Sequence, residues 1–265
     1  ACSVSATTTI QNAGDASALA ACTTFSGSIA IATGTTDSIQ LNGLRVIDGD
    51  LIATNVSQLT SLSADSLTRI TGSFNLEQDE ILSTLNFPQL TEVGEIQWEG
   101  LPGLQGLSFT NQIKKANSVS IINTYLSSLE GINLEVAETI DIQNNNYLDD
   151  ITMQLGNVSD NFNVYANGRN VSVVLPNLIW ANRINIANAS SVSIPSLASV
   201  NGSLGLYSNF FESIQAPNLT DVGGTLSVVS CEKVTNISFP QLTTVTGGLS
   251  VQNNTELADV SGFPV

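Results

Sequence analysis

An apolar-x-apolar pair recurs along this chain at Ile29/Ile31, Leu51/Ala53, Phe74/Leu76, Ile96/Trp98, Val119/Ile121, Ile140/Ile142, Phe162/Val164, Ile184/Ile186, Leu204/Leu206, Leu226/Val228 and Leu249/Val251. Successive starts lie 20 to 23 residues apart. Alternation marks a strand with one buried face. A fixed period of this length marks a repeat that cannot bury that face alone and must stack on copies of itself. A second apolar pair follows most of these strands: Leu59/Leu62, Leu82/Leu85, Leu104/Leu107, Leu126/Leu129, Leu148/Ile151, Phe211/Ile214, Val234/Ile237 and Leu257/Val260. No 3.6-residue periodicity runs through the repeats. The expected fold is therefore all-β: a right-handed parallel β-solenoid of about eleven coils of 20–23 residues, stacked at ~4.8 Å into a rod on the order of 50 Å long.

The punctuation keeps the same register. Six of the seven prolines (Pro88, Pro176, Pro195, Pro217, Pro240, Pro264) share one slot, where a residue without an amide donor suits a corner. Gly72, Gly94, Gly202, Gly223-Gly224 and Gly247-Gly248 precede the strands, and tight turns needing a permissive backbone are expected there. Asn55, Asn123, Asn144, Asn188 and Asn253 stand four residues after their strands begin, with Asn167 and Asn209 one place later. In stacked coils such a column is expected to point inward and to satisfy backbone groups freed at the bend.

Residues 1–25 depart from the repeat and form an expected N-terminal cap, with Asp15 as the N-cap of a short helix over residues 16–21. Cys2 and Cys22 bracket this segment. A disulfide between them would staple it to the first coil and imply an oxidising compartment. A metal pair is the alternative, with no other soft ligand nearby. Cys231 either packs as a small hydrophobe or pairs with a cysteine beyond residue 265. The solenoid is expected over residues 26–265, and Phe263-Pro264-Val265 reads as the start of a further repeat, so the C-terminal cap is expected to be missing. Ala1-Cys2-Ser3 reads as a mature start, and no apolar run approaches the ~18 residues of a membrane span.

Composition closes off several chemistries. The chain has no histidine, which excludes a Ser-His-Asp triad and histidine metal ligands. Seven basic residues against 23 acidic ones, a net charge of −16, argue against nucleic acid as a partner. No P-loop, dinucleotide fingerprint or Cys/His metal spacing is present, so no cofactor and no metal is expected. Eight N-x-S/T sequons begin at Asn55, Asn157, Asn170, Asn188, Asn201, Asn218, Asn236 and Asn253. Glycosylation is expected at Asn157, Asn170, Asn201, Asn218 and Asn236. The other three share the inward column and are expected to be poorly occupied.

The outward strand positions offer two candidate sites. Gln143, Asn163, Tyr165, Asn185 and Tyr207 form a flat face of amides and aromatic rings, suited to sugar hydroxyls and sugar faces. Tyr165 and Tyr207 stand two coils apart, roughly 10 Å, close to the length of a disaccharide. Glu77 and Glu99 share a column in adjacent coils, so their carboxylates are expected ~5 Å apart, the separation used by retaining glycosidases. Trp98 falls in an inward slot; Trp180 does not.

The segments Phe239-Pro240-Gln241-Leu242-Thr243-Thr244-Val245-Thr246-Gly247-Gly248-Leu249-Ser250-Val251 and Ala216-Pro217-Asn218-Leu219-Thr220-Asp221-Val222-Gly223-Gly224-Thr225-Leu226-Ser227-Val228, together with the Cys-bracketed start, resemble the fungal GPI-anchored cell-wall organisation proteins of the extracellular-mutant/sporulation-wall type. Their repeats are related to receptor L domains. The resemblance covers essentially the whole chain and weakens from about 114 to 197, where the glycine turn is missing. It implies two receptor-L-like halves with a boundary near 114–160, and a stalk absent from this chain. It also implies a non-enzymatic surface glycoprotein supporting wall integrity. The implied partners are cell-wall polysaccharide (β-glucan or chitin) or a surface protein, with membrane contact only through a GPI anchor outside this chain. The second reading is a wall-remodelling carbohydrate-active enzyme using Glu77 and Glu99.

Overall fold

The computed structural model describes residues 2–264; Ala1 and Val265, which end the mature-start and final-repeat patterns, lie outside the described residues. The protein is nearly all β, a parallel β-solenoid of about eleven turns with one short helix near its N-terminus. It comprises two compact units, Ala1–Leu134 and Glu135–Val265.

One coil of the first unit shows how the repeat is built. Arg69–Glu77 is a single bent strand. Ile70 is buried, the register shifts between Ile70 and Ser73, and Phe74 and Leu76 are then buried in turn. The ladder is parallel and in register through the coils, Leu51 to Phe74 to Ile96 and Ala53 to Leu76 to Trp98. After a corner at Gln78, a tight turn closes through the Leu82 amide and the Asp79 carbonyl (3.2 Å). The short strand Thr84–Asn86 buries Leu85 against Leu62 of the coil before. A second turn, with the Leu90 amide on the Phe87 carbonyl (3.2 Å), leads into the next coil.

Proline explains that second turn. Pro88, Pro176, Pro195, Pro217 and Pro240 each stand at the second position of a four-residue turn closed by the amide two residues on, as in Leu178 to Leu175 and Leu242 to Phe239. Proline's fixed φ suits this position, and its missing donor is not needed there.

The glycine column has a different cause from the one the sequence suggests. Gly72, Gly94, Gly223 and Gly247 do not have positive φ; the requirement is space. A Cβ on Gly72 would meet the Gly49 carbonyl at 2.8 Å, and one on Gly247 would meet that of Gly224 at 2.7 Å. Successive coils bend at the same point, so their backbones come too close there for any side chain.

The asparagine column is also displaced from its expected place. Asn55, Asn123, Asn144, Asn188 and Asn253 adopt left-handed φ between 55° and 63°. They are the corner residues, and asparagine is enriched there because it tolerates this conformation. Asn55, Asn123, Asn144 and Asn253 are exposed and Asn188 is half-buried. The inward position is the next one along, occupied by Val56, Asp79, Leu101 and Thr124 in the first unit and by Asn145, Asn167, Ala189, Asn209 and Cys231 in the second. Asn167 and Asn209 are therefore inward, as expected, whereas the other five are not.

At the N-terminus, Ser3–Ile10 pairs in parallel with Thr24–Ile31 and covers the first coil. The helix runs over Ala13–Ala18, and its N-cap is Asn12, whose side chain accepts from the Asp15 amide at 3.0 Å. Asp15, expected as the cap, instead sits in the first turn and accepts from the Gln11 amide at 2.9 Å. Asn12 already has extended backbone dihedrals, so the helix begins one residue after it. Cys2 and Cys22 form the disulfide, with Cα atoms 5.6 Å apart.

Candidate functional site

In the second unit the outward strand positions line a groove of about 530 Å³. Three parallel strands form it: Ile132–Gln143, Asn157–Tyr165 and Trp180–Ala187, continued by Leu204–Tyr207. Register places Asp141, Asn163, Asn185 and Gly205 side by side along its floor. Thr139, Asn161 and Arg183 form a parallel row, and Tyr207 lines the far end.

The polar floor is tied into one chain of hydrogen bonds. Asn185 Nδ2 donates to Asn163 Oδ1 (2.8 Å), and Asn163 Nδ2 donates to Asp141 Oδ1 (3.1 Å). From the other side Tyr165 donates its hydroxyl to Gln143 Oε1, and Gln143 Nε2 donates to Asp141 Oδ2 (3.1 Å). Both oxygens of Asp141 are thereby occupied, and the side chains are held in place before any ligand arrives. Such preorganisation lowers the entropic cost of binding.

The five residues singled out from the sequence thus divide. Asn163, Asn185 and Tyr207 line the groove; Gln143 and Tyr165 lie beside it and hold Asp141. The spacing of the two tyrosines predicts equivalent stacking platforms, but Tyr165 is half-buried and committed to Gln143. Tyr207 is 39% exposed and lies down over Gly205, where an added Cβ would meet its hydroxyl at 2.8 Å. Gly205 is therefore what allows that ring to lie on the sheet. The outward-face pattern passes over Arg183, Asn161 and Thr139, although each stands two residues before a floor residue and so on the same side of its strand.

The chain is similar in sequence to several curated fungal proteins. It is 39% identical over 246 residues to the protein ecm33 of Aspergillus fumigatus, covering 92% of this chain and 62% of that one. It is 41% identical over 257 residues to a cell surface GPI-anchored protein of Arthroderma benhamiae, covering 97% and 66%. The chain belongs to the fungal Ecm33 family. Sporulation-specific protein 2 of Saccharomyces cerevisiae, 32% identical over 258 residues, is a further relative, with 96% of this chain and 51% of that one covered. The chain thus spans half to two thirds of the length of these relatives. No protein-family profile matches it, and no solved structure does. Ecm33-family membership places the protein outside the cell, at the fungal wall and surface, in keeping with its disulfide.

The second candidate site of this Ecm33-family chain is in the first unit. Glu77 and Glu99 are direct register partners on adjacent parallel strands. They border a shallow depression of about 180 Å³ with Asn75, Gln97 and Ser120. Beside them, Asp79 turns inward and is fully buried. Its Oδ1 accepts from the Val56 amide (2.9 Å) and its Oδ2 has no partner. Burial above all, reinforced by the Glu77 charge and opposed by the Val56 hydrogen bond, pushes its pKa up from 3.8 to about 7. Among the described residues no cluster of acids and cysteines is placed to hold a metal ion.

Of the sequon asparagines, Asn170, Asn201, Asn218 and Asn236 are exposed and Asn157 is half-buried on a strand. Asn55 and Asn253 are exposed corners, so burial gives no reason for poor occupancy at either. Cys231 is a free, buried thiol in the inward column. Burial raises its pKa, which makes it inert rather than reactive.

Proposed function

We propose that the chain is a non-catalytic wall-organising module, and that its groove holds wall polysaccharide of the β-glucan or chitin type. The observation that carries this reading is the groove itself: a preassembled amide floor with one tyrosine ring lying flat at its end. Amides exchange hydrogen bonds with sugar hydroxyls, and an aromatic face covers the apolar face of a sugar ring. The floor spans four coils, on the order of 15 Å from first to last, enough for about three sugar units. Attachment of the full-length protein through a GPI anchor, as the Arthroderma relative's name states for that protein, goes with this reading.

The test is co-sedimentation with insoluble β-glucan and chitin, followed by titration with their soluble oligomers. Tyr207→Ala and Asn185→Ala should each weaken binding about tenfold, whereas Glu99→Gln should leave it unchanged. Equal binding by wild type and both groove variants would overturn the groove. A surface protein captured in place of glycan, with the same sensitivity to Tyr207→Ala, would keep the site and change the partner class.

Hydrolysis at Glu77 and Glu99 is the second reading, favoured by their direct register pairing. Turnover of β-glucan or chitin oligomers that is lost in Glu99→Gln would establish it. What supports binding over hydrolysis is that the depression between them has about a third of the groove's volume and no aromatic ring exposed within it.

A further inference from the structure

A second surface of the same unit lies on the strand segments before the bulge. Val136, Asn157, Trp180 and Ser199 are successive register partners there, all on the outward side. Val136 is 50% exposed, Trp180 is half-buried, and Ile179 beside it is 56% exposed. This is an apolar patch beside the polar floor of the groove. In its middle stands a polar residue, Asn157, whose side-chain amide is hydrogen-bonded to none of the described residues. Val136 flanks it on one side and Trp180 on the other, each one strand spacing away, ~4.8 Å. Asn157-Val158-Ser159 is a sequon, and Ser159 is exposed.

We infer that Asn157 carries an N-linked glycan whose first sugars lie across Trp180 and Val136 and cover this patch. The occupant is tethered at the centre of the surface it covers. The first N-acetylglucosamine has a width comparable to one strand spacing, so it meets the neighbouring side chains without stretching. Its C–H face is apolar and matches the Trp180 ring, while its hydroxyls remain in water. Attachment is a group transfer from a lipid-diphosphate-linked oligosaccharide. The bond between the anomeric carbon and the diphosphate oxygen breaks, the bond to Asn157 Nδ2 forms, that nitrogen loses one proton, and the lipid diphosphate leaves. The sequons at Asn218 and Asn236 differ, since their Nδ2 atoms already donate to the Pro195 carbonyl (2.9 Å) and the Ser213 hydroxyl (3.3 Å).

The chain has two tryptophans, and Trp98 is only 1% exposed, so a soluble quencher reads Trp180. The chain should be secreted from a glycosylating eukaryotic host and its Asn157 peptide examined by mass spectrometry. Acrylamide quenching should then be compared between wild type, Ser159→Ala, which removes the sequon but keeps the asparagine, and Ser159→Thr, which keeps both. Glycan on Asn157 is expected, with about a twofold rise in the quenching constant in Ser159→Ala as a ring face is uncovered. Ser159→Thr should match wild type. An unmodified Asn157, or a glycosylated Asn157 with equal quenching in all three proteins, overturns the inference. A rise in Ser159→Thr as large as in Ser159→Ala also overturns it, because the effect would then come from Ser159 itself.

Discussion

The two units build the same coil and fill it differently. In Ala1–Leu134 the aliphatic interior holds one aromatic cluster: Phe74 meets Phe87 at 5.1 Å and Trp98 at 5.7 Å, and Phe109 meets Phe87 at 5.8 Å and Trp98 at 6.0 Å. In Glu135–Val265 the strand interior is mainly aliphatic, and the inward corner position carries an amide ladder. Asn167 Oδ1 accepts from the Asn145 amide (3.0 Å) while its Nδ2 donates to the Ile142 carbonyl (2.9 Å). Asn209 does the same with the Ala189 amide (2.9 Å) and Ile186 carbonyl (3.0 Å), and Asn254 with the Cys231 amide (2.9 Å) and Val228 carbonyl (2.8 Å). Each asparagine thus bridges an amide and the carbonyl three residues before it in the previous coil. The first unit replaces such rungs with Val56, Leu101 and Thr124, and once with Asp79. A coil corner can therefore be closed by packing alone or by polar rungs, and the two solutions should fail differently.

The largest effect is expected where packing is the only support. Phe74→Ala removes a ring in contact with two others, and a cost of about 3–5 kcal/mol follows. Hydrogen exchange should show faster opening of peptides from 2–134 and little change in 135–264. Next comes Asn209→Leu, of similar volume but without the amide. It leaves the Ala189 amide and Ile186 carbonyl unpaired, at about 2–3 kcal/mol, and the loss should appear in the second unit. If either variant destabilised both units equally, the division of labour would be wrong.

Asp79 tests the comparison most directly. Its Oδ1 makes the amide bond of a rung, but an ionised carboxylate has nothing to donate. The three asparagines also donate to the carbonyl three residues before the bonded amide, whereas Asp79 Oδ2 has no partner, and only a protonated acid has a proton to complete such a rung. The folded-state pKa of about 7 lies above the unfolded value of about 3.9. Between these the folded unit keeps a proton that the unfolded chain has released. The contribution is full below about pH 4, is lost as pH rises towards 7, and levels off above it. Asp79→Asn supplies a permanent donor. It should remove that slope and stabilise the first unit at pH 8 by about 2 kcal/mol, seen as a higher melting temperature at pH 8 than the wild type. An unchanged slope would assign the pH dependence to the surface acids instead.

Much of this was legible in advance, and the misses have physical causes. Alternation at a 20–23-residue period specifies strand, face and register together, so the partners Glu77/Glu99 and Asn163/Asn185 could be paired from spacing alone. The ladder was missed by one residue because two adjacent corner positions both favour asparagine, one for its left-handed backbone and one for its amide. Asn144-Asn145 and Asn253-Asn254 hold both at once. The informative coils were those with Ala166 or Ser208 at the corner, where a single asparagine marks the inward site. The groove was half legible. Its amide floor follows from register, and Arg183 follows from alternation as the residue two before Asn185, but Tyr207 lying flat depends on the absent side chain at Gly205.

The smallest predicted effect returns to the corner column. Ala166 has φ 55° without the local hydrogen bonds that make asparagine tolerable there. Gly100 holds the equivalent corner of the first unit at φ 66°. Replacing Ala166 by glycine removes the clash between Cβ and the following carbonyl oxygen, worth about 1–2 kcal/mol, but adds the chain entropy that glycine loses on folding, about 0.5–1 kcal/mol. A net gain of about 0.5–1 kcal/mol follows, read as a small rise in the denaturant midpoint with an unchanged slope. Ala166→Asn should match or exceed it, since asparagine loses less entropy. The reverse change, Gly100→Ala, should be worse than neutral, because its Cβ would press on the Gln78 side chain as well as adopting the strained φ. Stabilisation by Gly100→Ala would mean that stacking between corners, rather than backbone conformation, decides which residue stands there.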